Sequence, residues 1–412
     1  MTSEPADSGI VIVGGGLAGA KAAEAAREKG YGGPVTLVGA ESHLPYERPP
    51  LSKGYLMGKS EFAEAQVHDR EWYAAHNVDL RLETRVESLN LGARTVRLND
   101  GSDLPYGRLL LATGSTPRTL PLPGADADGV LTLRTVENSD AIRATFGPDR
   151  RLVIVGAGWI GLEVAAAARE AGTQVTIIEA AAAPLLAVLG ETIAAVFTAL
   201  HRAHGVDLRV GAQLAEITTE GGRATGVRLA DGETIAADAV VVGIGAAPDV
   251  RLAAEAGLDV DNGVLVDASL RTSDPNVWAV GDIANQAHPL LGRRVRVEHW
   301  ANALNQPAAA VAAMLGHQFA EYDALPYFYS DQYDLGMEYI GLADPKDRVL
   351  VRGDLDSREF VAFWLDDEER IRAAMNVNVW DVVDVLKPII REQIRVDLDR
   401  LVDLEVGLNT LG

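Results

Sequence analysis

One construction occurs twice in this chain and constrains the fold more than any other feature. Residues 10–39 run IVIVG, GGLAG, AKAAEAAREKG and, after a short loop, PVTLVG, while residues 151–179 run RLVIVG, AGWIG, LEVAAAAREAG and TQVTIIE. Each reads as strand, glycine turn, alanine-rich helix and second strand, which is a βαβ unit. Two such units imply an α/β fold with two Rossmann-like nucleotide-binding halves.

Gly14, Gly16 and Gly19 form a GxGxxG between strand and helix, so that backbone can approach a pyrophosphate at the helix N-terminus with no side chain in the way. A glycine turn required only for packing is the competing reading. The second set is Gly156, Gly158 and Gly161, with Ile160 inside it, and it is followed by Glu179 at the tip of the next strand. A carboxylate there can accept hydrogen bonds from an adenosine ribose, which favours NADH. NADPH would need a nearby cation, and no Lys or Arg occurs from Ala180 to His201. In the first unit the matching strand end is Gly39, with Glu41 two residues later, so Glu41 is either a displaced ribose acid or a solvated surface acid.

Two further apolar runs, LLLATGSTP (109–117) and AVVVGIGAAPD (239–249), end in glycine-bearing turns. Ligands of open α/β sheets bind outside the carboxyl ends of strands, so Ala112, Gly114 and Gly245 are expected to face a cofactor. From about residue 320 aromatics become dense, and 335–342, 348–353 and 359–366 read as strands of a third, α+β domain with an antiparallel sheet. The tail has helical spacing interrupted by Pro388.

Composition narrows the chemistry. At 412 residues there is room for two or three domains of roughly 150 residues each. A net charge of −22 repels phosphate backbones and anionic lipid, so no nucleic acid and no membrane partner is expected. The chain has no cysteine, which excludes disulfides, thiolate-bound metal and redox-active thiols. Any redox chemistry must therefore be carried by a bound cofactor. The polar start MTSEPADSG does not read as a signal peptide, and no stretch approaches the roughly 20 apolar residues of a membrane span, so a cytoplasmic location is expected.

PYERPPLSKGYL (45–56) places Arg48 and Lys53 on a proline-stiffened loop. Either they face an anionic group or they are solvated cations. In TSDPNVWAVGDIAN, Asp282 follows Gly281 and points at the start of an expected helix, where it can accept bonds from polyol hydroxyls or act as an N-cap. His201 and His204 are spaced i, i+3 without accompanying carboxylates, and no metal site is expected.

In the order GGGLAG, RPPLSK, LLLATGSTPR, VGAGWIGLEVA, VVGIGAAPD, TSDPNVWAVGDIA and FYSDQYD, the chain resembles the FAD-dependent NADH:ferredoxin reductases of bacterial oxygenase systems, over nearly its whole length. The resemblance implies a glutathione-reductase-like flavoprotein fold. Its FAD-binding domain would be split between 1–112 and 243–319, its NAD-binding domain would be 113–242, and 320–412 would cover the flavin. It places FAD against Ala18, Lys53, Val86, Arg134, Asp282 and Trp300, with Arg48 also at the cofactor. Lys53 would stand near the redox end of the flavin with Glu163 as its carboxylate partner. An Asp that contacts FAD in one such reductase falls at Ala40, and Tyr329 stands where the family usually has tryptophan at the flavin edge. Ordinary core packing is the other reading of Tyr327, Phe328 and Tyr329.

The resemblance further implies that FAD and NADH are the cofactors and that a [2Fe-2S] ferredoxin is the partner, serving a cytochrome P450 or a Rieske oxygenase. An arginine that one such reductase uses for redox-partner docking falls at Ala308. Arg293, Arg294 and Arg296 are the best local cation cluster, either for an acidic ferredoxin or as a solvated face. Rubredoxin, or a small acceptor such as monodehydroascorbate or a quinone, is the alternative acceptor. A DNA-binding role on the same fold is disfavoured by the charge.

Overall fold

The computed structural model describes residues 8–318 and 320–411. Residues 1–7, which carry most of the segment read as lacking a signal peptide, lie outside them. The chain divides into two compact units, each assembled from three separate segments. The first comprises Met1–Glu47, Ala63–Thr116 and Ala247–Pro326, and the second Arg48–Phe62, Pro117–Ala246 and Tyr327–Gly412.

The first unit is built on a five-stranded parallel sheet in the order Val277–Ala279, Arg108–Leu111, Ile10–Val13, Val35–Val38, Val78–Arg81. The three central strands are almost wholly apolar and buried, as expected for a parallel sheet covered on both faces. Helix Leu17–Glu28 packs against helix Trp300–Met314. Ala18, Ala22, Ala25 and Ala26 are buried on the first of these, and their small side chains permit close approach.

The second unit repeats the arrangement with Asp207–Val210, Gln174–Glu179, Arg151–Val155, Ala239–Val242 and Val130–Leu131, again all parallel. It also holds a five-stranded antiparallel sheet in the order Tyr327–Gln332, Leu335–Gly341, Ile371–Val377, Glu359–Leu365, Arg348–Asp354. One hydrophobic core joins the two sheets, with Ile154, Leu162 and Val241 in the same cluster as Tyr339, Trp364 and Met375. Leu56, from the proline-stiffened segment, is buried in that core too.

Helix Leu186–Ala203 is, among the described residues, long and apolar enough to cross a membrane by length and composition. Leu189, Ile193, Phe197 and Leu200 nevertheless pack into the core, and Gly190 breaks the helix with φ +75°. It is a core helix. The tail differs from expectation at Pro388, because helix Val383–Arg391 runs through it. Proline removes one i→i−4 bond there, and burial of Leu386, Ile389 and Ile390 offsets the loss.

Candidate active site

In the first unit, Gly14 ends the strand Ile10–Val13 at φ +124°, and a Cβ there would lie 2.1 Å from the carbonyl oxygen of Ala112. A Cβ on Gly19 would lie 2.0 Å from the carbonyl oxygen of Gly14. Packing alone therefore demands these two glycines. At Gly16, the N-cap of helix Leu17–Glu28, an added Cβ would meet nothing within 4 Å. No steric contact within the protein requires glycine at this position, although glycine is a favoured N-cap; the open space also suits a pyrophosphate seated on the turn.

The second turn follows the same logic. Added Cβ atoms would lie 2.5 Å from the Gly243 oxygen at Gly156 and 2.2 Å from the Gly156 oxygen at Gly161. At Gly158 the nearest atom is 4.0 Å away. Ile160, on the first turn of helix Trp159–Glu170, is exposed. Glu179 spans the turn: one carboxylate oxygen accepts the N–H of Ala157 at 2.7 Å and the other that of Ala181 at 2.8 Å. Lone pairs remain on both oxygens for ribose hydroxyls. Gly245 lies beside Arg118, whose N–H donates to the Gly245 carbonyl at 2.9 Å.

The first unit has Gly39 where the second has Glu179, and the backbones of Gly15 and Gly39 pack directly: an added Cβ would lie 2.9 Å from Gly39 Cα at Gly15 and 3.2 Å from Gly15 Cα at Gly39. Glu41 is half-buried and accepts the Tyr46 hydroxyl at 2.5 Å. Ala40 is exposed, Val86 is buried in the unit's core, and Ala112 is buried under Gly14. Gly114 accepts the N–H of Asp249 at 2.9 Å.

Ala18, Gly281 and helix Trp300–Met314 come together: a Cβ on Gly281 would lie 3.5 Å from Ala18 Cβ, and the Gly281 N–H donates to Gln306 Oε1 at 2.7 Å. The helix expected directly after Asp282 is absent. Gly281–Ile283 is a single 3-10 turn, and the chain continues as strand Ala284–His288, which pairs with Val264–Val266. The helix begins only at Trp300, whose indole N–H donates to Glu47 at 3.0 Å. Of the basic cluster, Arg294 donates to the carbonyls of Val266 and Asn285, and Arg296 to Asp282 O and Glu298. The Arg294 guanidinium holds local backbone and that of Arg296 joins backbone to the Glu298 carboxylate, while Arg293, Arg294 and Ala308 are exposed.

In the second unit, Pro49 and Pro50 open a 3-10 turn, Pro49–Ser52, that delivers Lys53. The Arg48 guanidinium donates to the Arg134 carbonyl, and Ser139 Oγ donates to the Leu51 carbonyl at 2.8 Å, so the loop is anchored at both ends of the turn. Lys53 Nζ lies 2.7 Å from Glu163 Oε1, and both side chains are largely buried. Glu163 also accepts the hydroxyls of Ser52 at 2.5 Å and Ser330 at 2.7 Å. Lys53 Nζ stands 5.3 Å from the Tyr329 ring centroid, within cation–π range. Burial pushes the Asp331 carboxyl up, against the opposing pull of Lys53.

The aromatic run thus splits into separate roles. Phe328 packs in the core, stacked on Tyr339 and edge-on to Trp159, whereas Tyr329 faces the Lys53 ammonium. The Tyr327 hydroxyl donates to Glu338 at 2.8 Å. Neither spacing nor composition singles out Ser52 or Ser330, although each adjoins a residue that was, Lys53 and Tyr329. His201 is fully buried with Nε2 2.9 Å from Gln332 Oε1, and His204 stacks on Tyr333.

The family described as pyridine nucleotide-disulphide oxidoreductase matches residues 8–307, and that described as reductase C-terminal matches 327–412. The chain is 42% identical over 412 residues to the ferredoxin–NAD(+) reductase component of the anthranilate 1,2-dioxygenase system of Burkholderia cepacia, covering 100% of each. It is 40% identical to putidaredoxin reductase of Pseudomonas putida, covering 98% of this chain and 97% of the relative. The crystal structure of the covalent putidaredoxin reductase–putidaredoxin complex superposes with a TM-score of 0.94 at 39% identity, covering 98% of each chain. The chain belongs to the pyridine nucleotide-disulphide oxidoreductase family. Its cofactors are FAD and NAD(H), and without cysteine it lacks the disulphide of the family's name.

Proposed function

We propose that this protein is an FAD-dependent NADH:ferredoxin reductase that passes electrons to a [2Fe-2S] ferredoxin serving a cytochrome P450 or a Rieske oxygenase. The observation that carries the reading is the pair of glycine turns, each with a middle glycine left open by the protein, in a chain with no thiol. When bound, FAD would supply the two-electron to one-electron redox chemistry between NADH and the carrier.

The chain's own residues bind, orient and tune. Gly14, Gly16 and Gly19, with Ala18, Ala112, Gly114, Val86, Arg134, Gly281, Asp282 and Trp300, are the proposed FAD-binding set, and Glu41 stands in for the missing ribose acid. Gly156, Gly158, Ile160, Gly161, Glu179 and Gly245 form the NADH-binding set. Arg48 fixes the loop that carries Lys53. Lys53, gripped by Glu163, supplies a fixed positive charge that favours the anionic reduced flavin. Tyr329 packs beside that charge at the electron-transfer edge. The proposed division is FAD-binding 1–112 with 243–319, NAD-binding 113–242 and C-terminal 320–412, in a cytoplasmic protein.

The test is NADH-dependent cytochrome c reduction with and without a panel of [2Fe-2S] ferredoxins and a rubredoxin. Strong stimulation by a [2Fe-2S] carrier is expected. Stimulation by rubredoxin alone, or equal rates without any carrier, would overturn the choice of acceptor.

A further inference from the structure

Glu163 is the end of a longer line of buried side chains, all within the second unit. Gln332 Nε2 lies 3.1 Å from Ser330 Oγ, which lies 2.7 Å from Glu163 Oε1. On the other side, Gln332 Oε1 lies 2.9 Å from His201 Nε2, and the Tyr333 hydroxyl is 3.4 Å from His201 Nδ1. Glu163, Ser330, Gln332 and His201 are each nine-tenths or more buried.

The direction of donation along this line is fixed by valence. A carboxylate facing an ammonium only accepts, so Ser330 must donate to Glu163. With its single hydrogen committed, the Ser330 hydroxyl must accept from Gln332, which turns the amide nitrogen toward Ser330 and the amide oxygen toward His201. That oxygen only accepts, so His201 carries its proton on Nε2 and presents Nδ1 to Tyr333. Burial lowers the His201 pKa to about 4, which keeps the ring neutral and this tautomer in place near neutral pH.

We infer that His201 and Gln332 are positioning residues that orient Ser330 and Glu163 and, through Glu163, the Lys53 ammonium. The inference rests on the reading of Lys53 as the cation acting on reduced flavin. It gives a role to a histidine that touches no metal cluster among the described residues, and it explains why a glutamine and a serine are buried two positions apart on one strand. The Lys53 side chain is long and has many rotamers. A carboxylate held by donors on both oxygens restricts it to one position.

The test uses the FAD-loaded protein and reads the flavin's midpoint reduction potential, NADH-driven flavin reduction and thermal stability in Gln332→Met, His201→Phe, His201→Gln and Lys53→Met. Gln332→Met and His201→Phe change no charge near neutral pH. Each is expected to slow flavin reduction about tenfold with an unchanged KM for NADH. Each should also weaken the preference for reduced over oxidised flavin about tenfold, which is a shift of roughly −30 mV for a two-electron couple. His201→Gln keeps an N–H donor toward Gln332 and should stay near wild type. Reduced thermal stability with unchanged potential and kinetics in Gln332→Met and His201→Phe would overturn the relay and leave its members as packing. If Gln332→Met does not fold, the two His201 variants decide by the same criterion. An unchanged potential in Lys53→Met would overturn the underlying reading of Lys53, and the relay with it. A shift in Lys53→Met alone overturns only the relay.

Discussion

The Glu179 carboxylate accepts the backbone N–H of Ala157 at 2.7 Å, so the acid at the end of one strand is fastened to the glycine turn at the end of its neighbour. On the proposed function, where Glu179 also accepts from the ribose, replacing it would remove that acceptor and release the turn together.

Glu179→Ala combined with Ala180→Arg is therefore expected to shift preference from NADH toward NADPH. The loss of NADH efficiency should be about 30- to 100-fold in kcat/KM, the worth of roughly 2–3 kcal/mol in hydrogen bonds to a charged group. Glu179→Gln should lose less, because its amide oxygen can still accept one of the two backbone N–H groups. Steady-state kinetics with both nucleotides are the check, and an unchanged ratio of kcat/KM values would show that Glu179 does not read the ribose.

The glycines of each turn should separate into two behaviours. Gly14→Ala places a Cβ 2.1 Å from a backbone oxygen at positive φ, and the expected cost is about 3 kcal/mol or more of stability. Gly16→Ala has open space, so stability of the FAD-free protein should change by about 1 kcal/mol or less while FAD affinity falls at least tenfold. Gly158→Ala should likewise raise KM for NADH with little effect on unfolding. Equal FAD affinity in Gly16→Ala and wild type would contradict a pyrophosphate on that turn.

These contrasts show how far the sequence can be read. The βαβ units, their glycines and Glu179 are legible because the signals are local, lying within about 30 residues of a repeating pattern. Long-range packing is not. Nothing in PYERPPLSKGYL says that Leu56 enters the core shared by the second parallel sheet and the C-terminal sheet, and nothing near Gly39 says that it is glycine because Gly15 lies against it. The helix expected after Asp282 fails for a related reason, since pairing with Val264–Val266 draws the following residues into a strand. Ser52 and Ser330 become visible only as neighbours of Glu163.

Lys53→Ala leaves Glu163 buried with two hydroxyl donors and no cation. Breaking such a pair from one side costs about 3 kcal/mol, somewhat less here because Lys53 keeps partial solvent access. Flavin reduction should slow by at least tenfold. Adding Glu163→Gln should recover most of the stability, since an amide oxygen can still accept Ser52 or Ser330, but none of the reduction rate. Chemical denaturation and stopped-flow reduction by NADH separate the two effects. Full recovery of the rate in the double variant would return Lys53 and Glu163 to a purely structural pair.

His201 makes stability depend on pH in a definite direction. Its ordinary pKa of 6.5 falls to about 4 in the folded chain, chiefly through burial, opposed by the bond to Gln332 and aided by nearby His204. Between those values the unfolded chain binds a proton that the folded chain does not, so stability falls as pH drops from 6.5 to 4 and the contribution is fully present above 6.5. The size is on the order of 3 kcal/mol across the window. Of the groups packed around it, Gln332 does not titrate and burial raises the Tyr333 hydroxyl well above this range. His201→Gln should therefore flatten the stability profile between pH 4 and 6.5 while leaving stability at pH 8 within about 1 kcal/mol of wild type. Urea denaturation at closely spaced pH values is the measurement, and an equally steep profile in the variant would assign the acid sensitivity to other groups.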